Sequence, residues 1–464
     1  MSSRSQVYEI RKKWMEKNNS YSFRYYKYFN FDILKKIMTI SRGTKAKTDS
    51  FNDCIIMFDT ETSKEKTGCV CSNYIVAWTI SIRAFDLNIV TLYGNKPSEL
   101  IYCINKMIMT MPAERTIMYC HNLAYDWVFL RKYMMAEWGT PTKQLNTKPH
   151  YPLFIEFANG IILKDSLSLA QRKLEKWAED MDVAHQKACG YWEYNEIRNQ
   201  DHRFTPEEKT YIEHDTLAGV ECLAKTMKAL NKHIYSMPYT ATGIPREIVR
   251  KIAKANHGRE RFLRMVPDYE TQKILEDVFH GGYTHANRHF LERVVYASEA
   301  ENGGYIEAFD EASAYPYAML AYKFPMERFA PMENCKPEFI LKNGKDYAYI
   351  FKLILTRPRL KSNNIAMPAL QISKAKKMIN EIEDNGRVLC AEYFEIYLNE
   401  IDLEVIAAQY TWDSAFCVNV RFAAKDYLPR WFTDYVYRCF VDKTMLKGGD
   451  AVAYSIAKAK LNSL

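Results

Sequence analysis

The sequence predicts a mixed α/β fold, in which a sheet flanked by helices forms the first of several domains. Two observations lead to this prediction: short apolar runs with the composition of strands, and a strongly marked helix start after them. A chain of 464 residues, 48% of them hydrophobic, can bury substantial cores but exceeds the size of one. We therefore expect two to four domains.

Strands of the first domain are expected where apolar and β-branched side chains cluster, at residues 55–58, 74–82, 116–120 and 154–163. The third of these leads through His121 into a helix that begins near Tyr125. The fourth ends at Asp165 and Ser166. A mixed sheet with helices on its faces accounts for this order of elements.

Polar side chains follow the first and third predicted strands. Asp59 and Glu61 stand at the end of the first strand, and residues two apart in a strand point to the same face. Asn122 and Asp126 are four apart, a spacing that puts two residues on one face of a helix. Each pair should therefore present its polar groups to one side of its element.

The best-marked helix begins after Thr205. Thr205 is a favourable N-cap, Pro206 suits the first helical position, and Glu208 would close a capping box. The same helix places Tyr211 and Asp215, again four apart, on one stripe. This stripe is the third polar group in the series.

Together the three groups supply four carboxylates that the fold could bring to one point: Asp59, Glu61, Asp126 and Asp215. Oxygen-rich sites of this kind suit a pair of divalent metal ions. Two-metal sites hydrolyse phosphodiesters. Singly, each group has a simpler explanation as a turn or cap residue, a helix-surface residue or a solvated charge. Their order, spacing and predicted structural support favour the common site.

The net charge of +8 is concentrated near the N-terminus. Residues 1–50 hold twelve Lys and Arg against four Asp and Glu, so the rest of the chain is balanced. Aromatic side chains alternate with these bases: Trp14, Tyr21, Phe23, Tyr25, Tyr26, Tyr28 and Phe29. Such a segment could follow a nucleic-acid backbone with bases stacked on its rings. It could also be a solvated or partly disordered arm.

The 11 cysteines are scattered and no pair has C-x-x-C spacing, so neither a zinc site nor a disulfide framework is indicated. This usage predicts a reduced, intracellular compartment. The sequence has no basic and then apolar leader and no apolar stretch long enough to span a bilayer. We therefore expect a soluble protein without a membrane partner.

Several short motifs resemble those of family B DNA polymerases. Their three exonuclease motifs, the third in its tyrosine variant, are similar to D-T-E-T (59–62), H-N-L-A-Y-D (121–126) and Y-I-E-H-D (211–215). D-E-A-S-A-Y-P (310–316) resembles the first polymerase motif of that family, D-x-x-S-L-Y-P. K-A-K-L-N-S-L (458–464) is similar to the start of the second, K-x-x-x-N-S-L-Y-G.

Two further segments resemble features of the protein-primed members, of bacteriophage and linear-plasmid type. F-H-G-G (279–282) is similar to the Y-x-G-G linker that contacts the template and balances synthesis against editing. The segment L-N-E-I-D-L-E-V-I-A-A-Q-Y (398–410) resembles part of the insertion that docks the terminal protein. The resemblance covers about residues 51–464, with Phe279 in place of the linker tyrosine and Ala314 where leucine is usual.

The resemblance implies a ribonuclease H-like 3′–5′ exonuclease domain followed by part of a family B palm with a terminal-protein insertion. The implied domains are a basic arm (1–50), the exonuclease (51–235), a palm portion (236–330), the terminal-protein insertion (331–430) and the start of the fingers (431–464). If the host is a cell infected by a virus or carrying a plasmid, its cytoplasm is the expected location.

At the exonuclease site, the resemblance implies that the four carboxylates hold two Mg²⁺ or Mn²⁺ ions and that Tyr211 positions the attacking water. The residues that would contact DNA are Thr62, Asn122, Tyr125, Phe129, Ser166, Leu167, Gly281 and Gly282. Phe129 could equally be a core residue. Lys187 resembles the lysine that the family places near this site.

At the polymerase site, Asp310 would end a palm strand at residues 305–309 and bind metal ions, with the backbone carbonyl of Glu311 as a further ligand. Tyr315 would lie beneath the deoxyribose of the incoming nucleotide, and Lys458 would contact its phosphates. The alternatives are a tyrosine buried at a helix start and a lysine on a solvated helix face.

The implied function is DNA-directed DNA synthesis from a protein primer, with 3′–5′ proofreading, by a monomer. Its partners would be single-stranded 3′ ends, primer–template DNA, deoxynucleoside triphosphates and a terminal protein. Because the sequence stops at Leu464 within the second polymerase motif, we expect these 464 residues to lack the third motif and thumb and not to extend a primer. Two other hypotheses are a stand-alone 3′–5′ exonuclease and a non-catalytic scaffold that binds terminal protein and DNA.

Overall fold

The computed structural model describes residues 3–18, 21–42, 50–67, 70–290, 292–294, 296 and 308–464. Its internal contacts divide the chain into two units. The first unit is Met1–Ile248 together with Val441–Leu464, and the second is Val249–Phe440. Each unit has its own hydrophobic core.

The helices, in chain order, are α1 (Ser3–Asn18), α2 (Asp32–Ile37), α3 (Pro97–Thr110), α4 (Leu123–Trp138), α5 (Leu167–Ala170), α6 (Leu174–Asp180), α7 (Pro206–Leu230), α8 (Gly243–Ala255), α9 (Gly258–Met265), α10 (Tyr269–Val278), α11 (Ala314–Ala321), α12 (Pro337–Asn343), α13 (Glu400–Gln409), α14 (Arg430–Leu446) and α15 (Ala451–Asn462). In the described part of the chain, none of them is both long and apolar enough to cross a membrane.

The strands of the first unit are β1 (Ser22–Tyr25), β2 (Ile40–Arg42), β3 (Ser50–Asn52), β4 (Ile55–Thr67), β5 (Val70–Ala84), β6 (Leu87–Gly94), β7 (Thr116–Cys120), β8 (Lys143–Asn146), β9 (Pro152–Glu156) and β10 (Ile161–Asp165). The main sheet has the order β1-β6-β5-β4-β7-β10-β9-β8, and it is mixed because β4, β7 and β10 are parallel to one another. The predicted α/β class with a mixed sheet is confirmed.

The alternation of side chains along β4 explains why the sheet is covered on both faces. Ile56 and Phe58 belong to one core cluster, which they share with α3 and α4. Ile55 and Met57 belong to another, to which α6 and α7 contribute. Successive residues of a strand point to opposite faces, so this uninterrupted apolar run is typical of a strand buried on both sides.

Two predictions from local sequence signals are confirmed. Strand β7 has the predicted bounds, 116–120, and all of its residues are buried. At the start of α7, the Thr205 hydroxyl accepts the Glu208 N–H, and the Glu208 carboxylate accepts the Thr205 N–H at 2.9 Å. This reciprocal cap fixes where α7 begins.

The predicted single strand at 154–163 is wrong, because the structure has an antiparallel hairpin of β9 and β10 there. The chain turns at Gly160, whose φ is +87°. A Cβ at this position would lie 1.9 Å from the Glu114 carbonyl oxygen, so only glycine fits the turn. The apolar residues on both sides of the turn made two short strands look like one.

The strand predicted at 55–58 extends through Asp59 and Glu61 to Thr67, because β5 continues to pair with it. Asp59 and Glu61 therefore lie within β4 and not at its end. A bulge between Glu61 and Thr62 interrupts the regular pairing. The polar composition of residues 59–66 concealed the rest of the strand.

Helix α4 begins at Leu123, earlier than the position near Tyr125 that we predicted. Asn122 precedes the helix in a left-handed conformation with φ of 75°, so it does not share a helical face with Asp126 as expected. The Asp165 carboxylate accepts the N–H groups of Asn122 and Leu123, both at 3.1 Å. It thereby satisfies the exposed donors at the helix N-terminus.

The basic segment before residue 50 is not a separate arm in its described residues. Strand β1 pairs in parallel with β6 at the edge of the main sheet. Phe23 stacks on Tyr93 with ring centroids 4.5 Å apart, and Leu34 is fully buried in the core. The interpretation as a solvated or partly disordered arm is thus wrong for these residues, because much of their aromatic surface packs against the protein itself. Nucleic-acid binding by this segment stays a prediction.

The second unit is built around a sheet of order β11-β20-β13-β18-β15 and a smaller one of order β16-β17-β14-β19. Its strands are β11 (Lys323–Pro325), β12 (Ala330–Pro331), β13 (Tyr347–Thr356), β14 (Arg359–Leu360), β15 (Ala375–Ile379), β16 (Ile382–Asp384), β17 (Arg387–Cys390), β18 (Tyr393–Asn399), β19 (Tyr410–Thr411) and β20 (Ser414–Tyr427). Strands β11 and β12 pair with β20, which lies about 85 residues further along the chain. The domain boundary predicted near residue 330 therefore falls inside this sheet and does not separate two structural units.

The segment similar to the terminal-protein insertion, 398–410, forms the end of β18, all of α13 and the start of β19. The Asn399 side chain caps α13 by accepting the Asp402 N–H at 2.9 Å. The palm strand predicted at 305–309 lies largely outside the described residues, and its last two residues, 308 and 309, are not in a strand. Asp310 follows them with its side chain exposed.

Candidate active site

Three of the four predicted carboxylates converge between β4 and α7. Ligand atoms of Asp59, Glu61 and Asp215 all lie within 4.8 Å of one another. Asp59 and Glu61 project from the same side of β4, and Asp215 comes from the helix that packs on that strand. Gly219, one helical turn beyond Asp215, allows this approach, because a Cβ there would lie 1.8 Å from the Met57 sulfur.

The fourth carboxylate, Asp126, joins the cluster through Asp59. Ligand atoms of Asp59, Cys120 and Asp126 also lie within 4.8 Å of one another, so Asp59 is common to both groups. The Thr60 hydroxyl donates to Asp126 Oδ1 at 2.6 Å, and the Cys120 thiol donates to Oδ2 at 3.0 Å. These two donors fix the orientation of the Asp126 carboxylate.

Crowding and burial raise the pKa of every carboxyl group in the cluster. Burial first, and then the charges of Asp126 and Glu61, hold the pKa of Asp59 well above its usual range. Burial and the Asp215 charge raise the pKa of Glu61 to about 8. Burial raises the pKa of Asp126 to about 6, although hydrogen bonds from Cys120 and Thr60 oppose the shift. A bound cation would reverse these shifts.

The two oxygens of the Asp215 carboxylate differ in their surroundings. The Lys187 ammonium donates to its Oδ2 at 3.0 Å, whereas Oδ1 is buried without a hydrogen-bond partner among the described residues. Burial raises the pKa of Asp215 despite the nearby Lys187 charge. An unpartnered buried oxygen is costly, and a hard divalent cation is the kind of partner that would satisfy it. The residues present therefore fit a metal site.

Tyr211 lies one turn before Asp215 and borders the cluster. Its hydroxyl is 2.7 Å from that of Tyr194, and Lys187 Nζ lies 5.3 Å from its ring centroid. Burial, followed by the negative charge of Glu61, raises the pKa of Tyr211, so its phenol stays protonated. It can therefore donate a hydrogen bond in the site.

Sequence reasoning identified the carboxylates but missed three residues that orient the site: Thr60, Cys120 and Tyr194. Thr60 and Cys120 adjoin predicted motif residues, and their position next to a motif was a usable signal. No spacing rule marks Tyr194, because it lies in an irregular loop whose position depends on tertiary contacts.

An exposed ledge lies beside the carboxylates. The hydroxyls of Thr62 and Tyr125 are 2.6 Å apart, and the Tyr125 and Phe129 ring centroids are 5.2 Å apart. Tyr125 is 45% exposed, whereas Phe129 is half-buried and also packs against the core. Phe129 thus packs on the core, as the alternative interpretation expected, and its contact with DNA stays a prediction. Asn122, three residues before Tyr125 in the chain, is also exposed.

The prediction that Ser166 contacts DNA is corrected, because Ser166 is fully buried. Its hydroxyl lies 3.1 Å from His121 Nδ1 and donates to the Cys120 carbonyl at 3.2 Å. Burial lowers the pKa of His121 to about 4, so this ring is neutral near pH 7. Leu167, the next residue, is half-buried. The pairing of β7 with β10, which sequence spacing did not reveal, buries Ser166.

The predicted polymerase residues belong to different units: Asp310, Glu311 and Tyr315 to the second, and Lys458 to the first. Asp310 and Glu311 are exposed outside helices and strands, and the described residues include no metal-ligand group that contains them. Tyr315 is in the first turn of α11 but is 76% exposed, so it is not the buried tyrosine of the alternative interpretation. Lys458 is exposed on α15, in the first unit.

The linker glycines, Gly281 and Gly282, lie in an exposed segment of the second unit without regular structure. A Cβ at either position would meet nothing within 4 Å, so open space adjoins both. Phe279, which stands in place of the linker tyrosine, is 75% exposed. The surface around these glycines is therefore accessible to a ligand.

The fold and the carboxylate cluster together define a class of protein: an α/β domain that carries a buried acidic site, followed by a second unit built on antiparallel sheets. The chain matches solved structures of phi29 DNA polymerase complexed with single-stranded DNA and with primer–template DNA, with TM-scores of 0.64 and 0.63. Both matches cover 88% of this chain and 67% of the other, at 18% sequence identity. They confirm the predicted fold class, a ribonuclease H-like domain followed by part of a palm.

Residues 190–464 match the profile of the family described as DNA polymerase type B, organellar and viral. The DNA polymerases of Bacillus phages Nf and B103 are 25% and 24% identical to the chain over 389 and 390 residues. The alignments cover 80% of this chain but only 61% of each of those relatives. The chain belongs to the type B DNA polymerases of organelles and viruses, as the motifs predicted.

Proposed function

We propose that the first unit carries a two-metal 3′–5′ exonuclease site. The observation that carries this proposal is the convergence of Asp59, Glu61 and Asp215 within 4.8 Å, with Asp126 joined through Asp59. Such a cluster is unfavourable without cations, since burial and mutual repulsion raise the pKa of its carboxyl groups. Divalent ions of the Mg²⁺ or Mn²⁺ type would neutralise it.

The four carboxylates would hold the metal ions. The bound ions would supply a hydroxide nucleophile and stabilise the leaving 3′ oxygen. Tyr211 would donate a hydrogen bond from its protonated phenol and orient the attacking water. Lys187, held by Asp215 at 3.0 Å, would offset negative charge on the phosphate. These roles use only groups that already face the cluster.

The ledge beside the cluster suits the end of a single strand. Tyr125 presents an exposed ring on which a base could stack without sequence preference. Its hydroxyl is 2.6 Å from that of Thr62, and this hydrogen bond restrains the ring. The Phe129 ring packs against the Tyr125 ring. Asn122 would add an amide beside the ledge, and Leu167 an apolar contact. The strand would enter past these residues.

For the whole protein we propose templated DNA synthesis from a terminal-protein primer, with this site as the proofreading activity. The support is family membership and the titles of the matched structures, which include phi29 DNA polymerase complexed with primer–template DNA and incoming nucleotide substrates. In this proposal, Asp310 and the Glu311 carbonyl bind metal, Tyr315 and Lys458 bind the nucleotide, and Gly281 and Gly282 contact the template.

The proposed divisions are the exonuclease up to about residue 235, a palm portion from 236 to 330, a terminal-protein region from 331 to 430 and the start of the fingers after it. We further propose that the protein acts as a monomer in the cytoplasm of its host. Analytical ultracentrifugation of the protein would test the monomer directly.

The exonuclease proposal is tested with single-stranded DNA labelled at its 5′ end, in the presence of Mg²⁺ or Mn²⁺. We expect stepwise shortening from the 3′ end, and loss of nearly all activity in the Asp59→Ala, Glu61→Ala double variant. Two exposed acidic residues of the same unit supply the matched control, Glu114→Ala with Glu137→Ala. Undiminished digestion by the active-site variant would place the nuclease elsewhere.

The carboxylate cluster also favours a nuclease over a scaffold. A non-catalytic scaffold gives no reason for four clustered carboxylates, one of which buries an oxygen without a described partner, whereas a nuclease does. A stand-alone exonuclease and a proofreading polymerase share this site, so digestion alone cannot separate them. Primer extension by the full-length protein, with its exonuclease silenced, would separate them.

A further inference from the structure

A polar pocket in the second unit lies outside every site described above. Its walls are the segments 284–286, 371–373 and 385–387, and its volume is about 770 Å³. The last of these segments is the turn between β16 and β17, in which Asp384 pairs with Arg387 across the hairpin. One wall of the pocket is therefore fixed by a hairpin.

Arg387 is the charged residue of this pocket, and it lacks a counter-charge. Arg387 is only 6% exposed, and its Nη1 is buried without a hydrogen-bond partner among the described residues. No described carboxylate lies within ion-pairing distance, and the Tyr283 ring lies 5.3 Å from Cζ. A buried guanidinium without an anion is costly.

The surroundings of Arg387 contain further donors without acceptors. His285 lines the same pocket, and its Nε2 is buried and unpartnered in the described part of the chain. Nearby in sequence, Arg288 uses Nη1 for Asp384 at 3.6 Å and Nη2 for the Asn363 carbonyl, but its buried Nε also lacks a partner. A ligand rich in acceptor oxygens would satisfy this arrangement.

We propose that this pocket binds one phosphate group of a DNA strand, with Arg387 supplying the charge and His285 a further donor. The assignment to a strand rests on the proposed function. Gly281 and Gly282, which we propose as template contacts, immediately precede the pocket wall and leave open space beside them. A strand that follows this segment would carry a phosphate to Arg387. Guanidinium groups bind phosphate oxygens well.

The test compares Arg387→Met with the parent protein in EDTA, so that no DNA is degraded. Binding of a short oligothymidylate is measured by fluorescence anisotropy over a range of salt concentrations. We expect about tenfold weaker binding, as for the loss of one charge-assisted contact, and a salt slope smaller by about 0.7. Arg359→Met, at an exposed arginine of the same unit, removes the same charge and should change neither value by this amount.

A second variant guards against a folding defect. Ala286→Glu places a carboxylate at an exposed position of the pocket wall, where it can pair with Arg387 and exclude a phosphate while the arginine remains. It should reproduce the loss of affinity. Arg387→Met itself should keep its Tm, because Nη1 forms no hydrogen bond within the described protein. Unchanged DNA affinity in both variants would overturn the proposal that this pocket binds a DNA phosphate.

Inorganic phosphate and pyrophosphate, titrated by calorimetry, distinguish the source of the phosphate group. If Arg387→Met abolishes their binding while the DNA salt slope is unchanged, the pocket serves a free phosphate and the assignment to a strand is wrong. Digestion of saturating DNA should be normal in both variants. Failure of digestion in the parent protein would instead contradict the exonuclease proposal. The anisotropy result would then still test whether the pocket binds a DNA phosphate.

Discussion

At the scale of single residues, the acidic cluster is a site under electrostatic strain. Asp59 repels three neighbouring carboxylates at once, and Asp215 buries an oxygen that no described donor reaches. Thr60 and Cys120 each give one hydrogen bond to Asp126, which compensates only part of the cost. The arrangement is more stable with cations than without them, and this difference can be measured.

We expect the metal-free protein to lose stability as the pH rises from about 5 to about 8. The folded pKa of Glu61, about 8, exceeds its ordinary 4.5, so in this window the folded state binds more protons than the unfolded state. Stability from this group is complete below pH 4.5 and is lost as the pH approaches 8. Mn²⁺ should therefore raise Tm more at pH 8 than at pH 5.

The control for this experiment is Asp59→Asn with Glu61→Gln, which keeps the shape of the cluster and removes two charges. This variant should show little response to Mn²⁺ at either pH and a weaker dependence of Tm on pH. Equal Mn²⁺ shifts at both pH values in the parent protein would contradict the electrostatic account.

The sequence predicted the carboxylates because alternation in a strand and helical spacing are local properties. It could not predict that Cys120 would donate to Asp126 or that Tyr194 would contact Tyr211. Each contact joins two different elements, the end of β7 to α4 and a loop to α7, and neither follows a strand or helix spacing. The prediction that Ser166 contacts DNA was wrong for a related reason. Its burial follows from the pairing of β10 with β7, which local spacing does not encode.

At the scale of elements, the packing of α7 on β4 determines the geometry of the candidate site. Replacement of Gly219 by Ala would bring a Cβ into the space of the buried Met57 side chain. We expect Gly219→Ala to lower the free energy of unfolding by about 1 to 3 kcal/mol, as overpacking does, and to reduce nuclease activity because Asp215 moves with the helix. Thermal melts and digestion rates measure both effects.

Gly449→Ala is the matched control for this substitution, because the nearest atom to its added Cβ is 3.7 Å away. A double-mutant cycle with Met57→Leu should show coupling between the two positions. Additive effects of Gly219→Ala and Met57→Leu would show that this contact does not couple the helix and the strand energetically.

Helix α13 presents the surface on which we expect a terminal protein to dock. Ile401 and Val405, four residues apart, are 60% and 40% exposed, whereas Leu403 and Ile406 are buried. Glu substitutions at both exposed positions should weaken terminal-protein binding by the full-length polymerase and reduce protein-primed initiation, while digestion of single-stranded DNA stays normal. Glu404→Ala, at an exposed charged position of the same helix, is the control.

These point substitutions are preferable to a deletion of residues 331–430. That deletion would remove β13, β18 and all of β20. Strand β11, outside the deleted segment, and β12, at its edge, would lose the strand with which they pair. Normal initiation by the Ile401→Glu, Val405→Glu variant would argue against docking on α13.

Elements with strong local signals were predicted well. The capping box of α7 and the apolar run of β7 require no distant contact, and both have the predicted positions. The hairpin of β9 and β10 was missed because its turn at Gly160 depends on the close approach of Glu114. Likewise, pairing with β5 extends β4 beyond its apolar residues.

At the scale of the whole molecule, the N-terminal segment belongs to the first unit and contributes to its core. Leu34 is fully buried, whereas the next residue, Lys35, is exposed. We expect Leu34→Ala to lower the free energy of unfolding by about 2 to 5 kcal/mol, as for other buried leucines. Lys35→Ala should change it by less than about 0.5 kcal/mol. Chemical denaturation of both variants provides the measurement.

Similar stabilities for Leu34→Ala and Lys35→Ala would restore the hypothesis of a solvated arm. The sequence suggested such an arm because basic residues alternate with aromatics there, a pattern that also suits nucleic acid. Whether those aromatics pack on the protein depends on an available sheet edge, and the edge strand β6 lies far along the chain. At this scale, composition could not decide between the two.

The parallel pairing of β1 with β6 also affects how the protein is made. Ser22 pairs with Val90, so the first strand must wait for 68 more residues to be translated before its partner exists. At usual rates of synthesis this delay is roughly 3 to 14 seconds. During that time an aromatic-rich segment is unpaired at the ribosome surface, where chaperones bind such segments. Slow codons between these strands would lengthen that exposure, and synonymous changes there should alter the yield of folded protein.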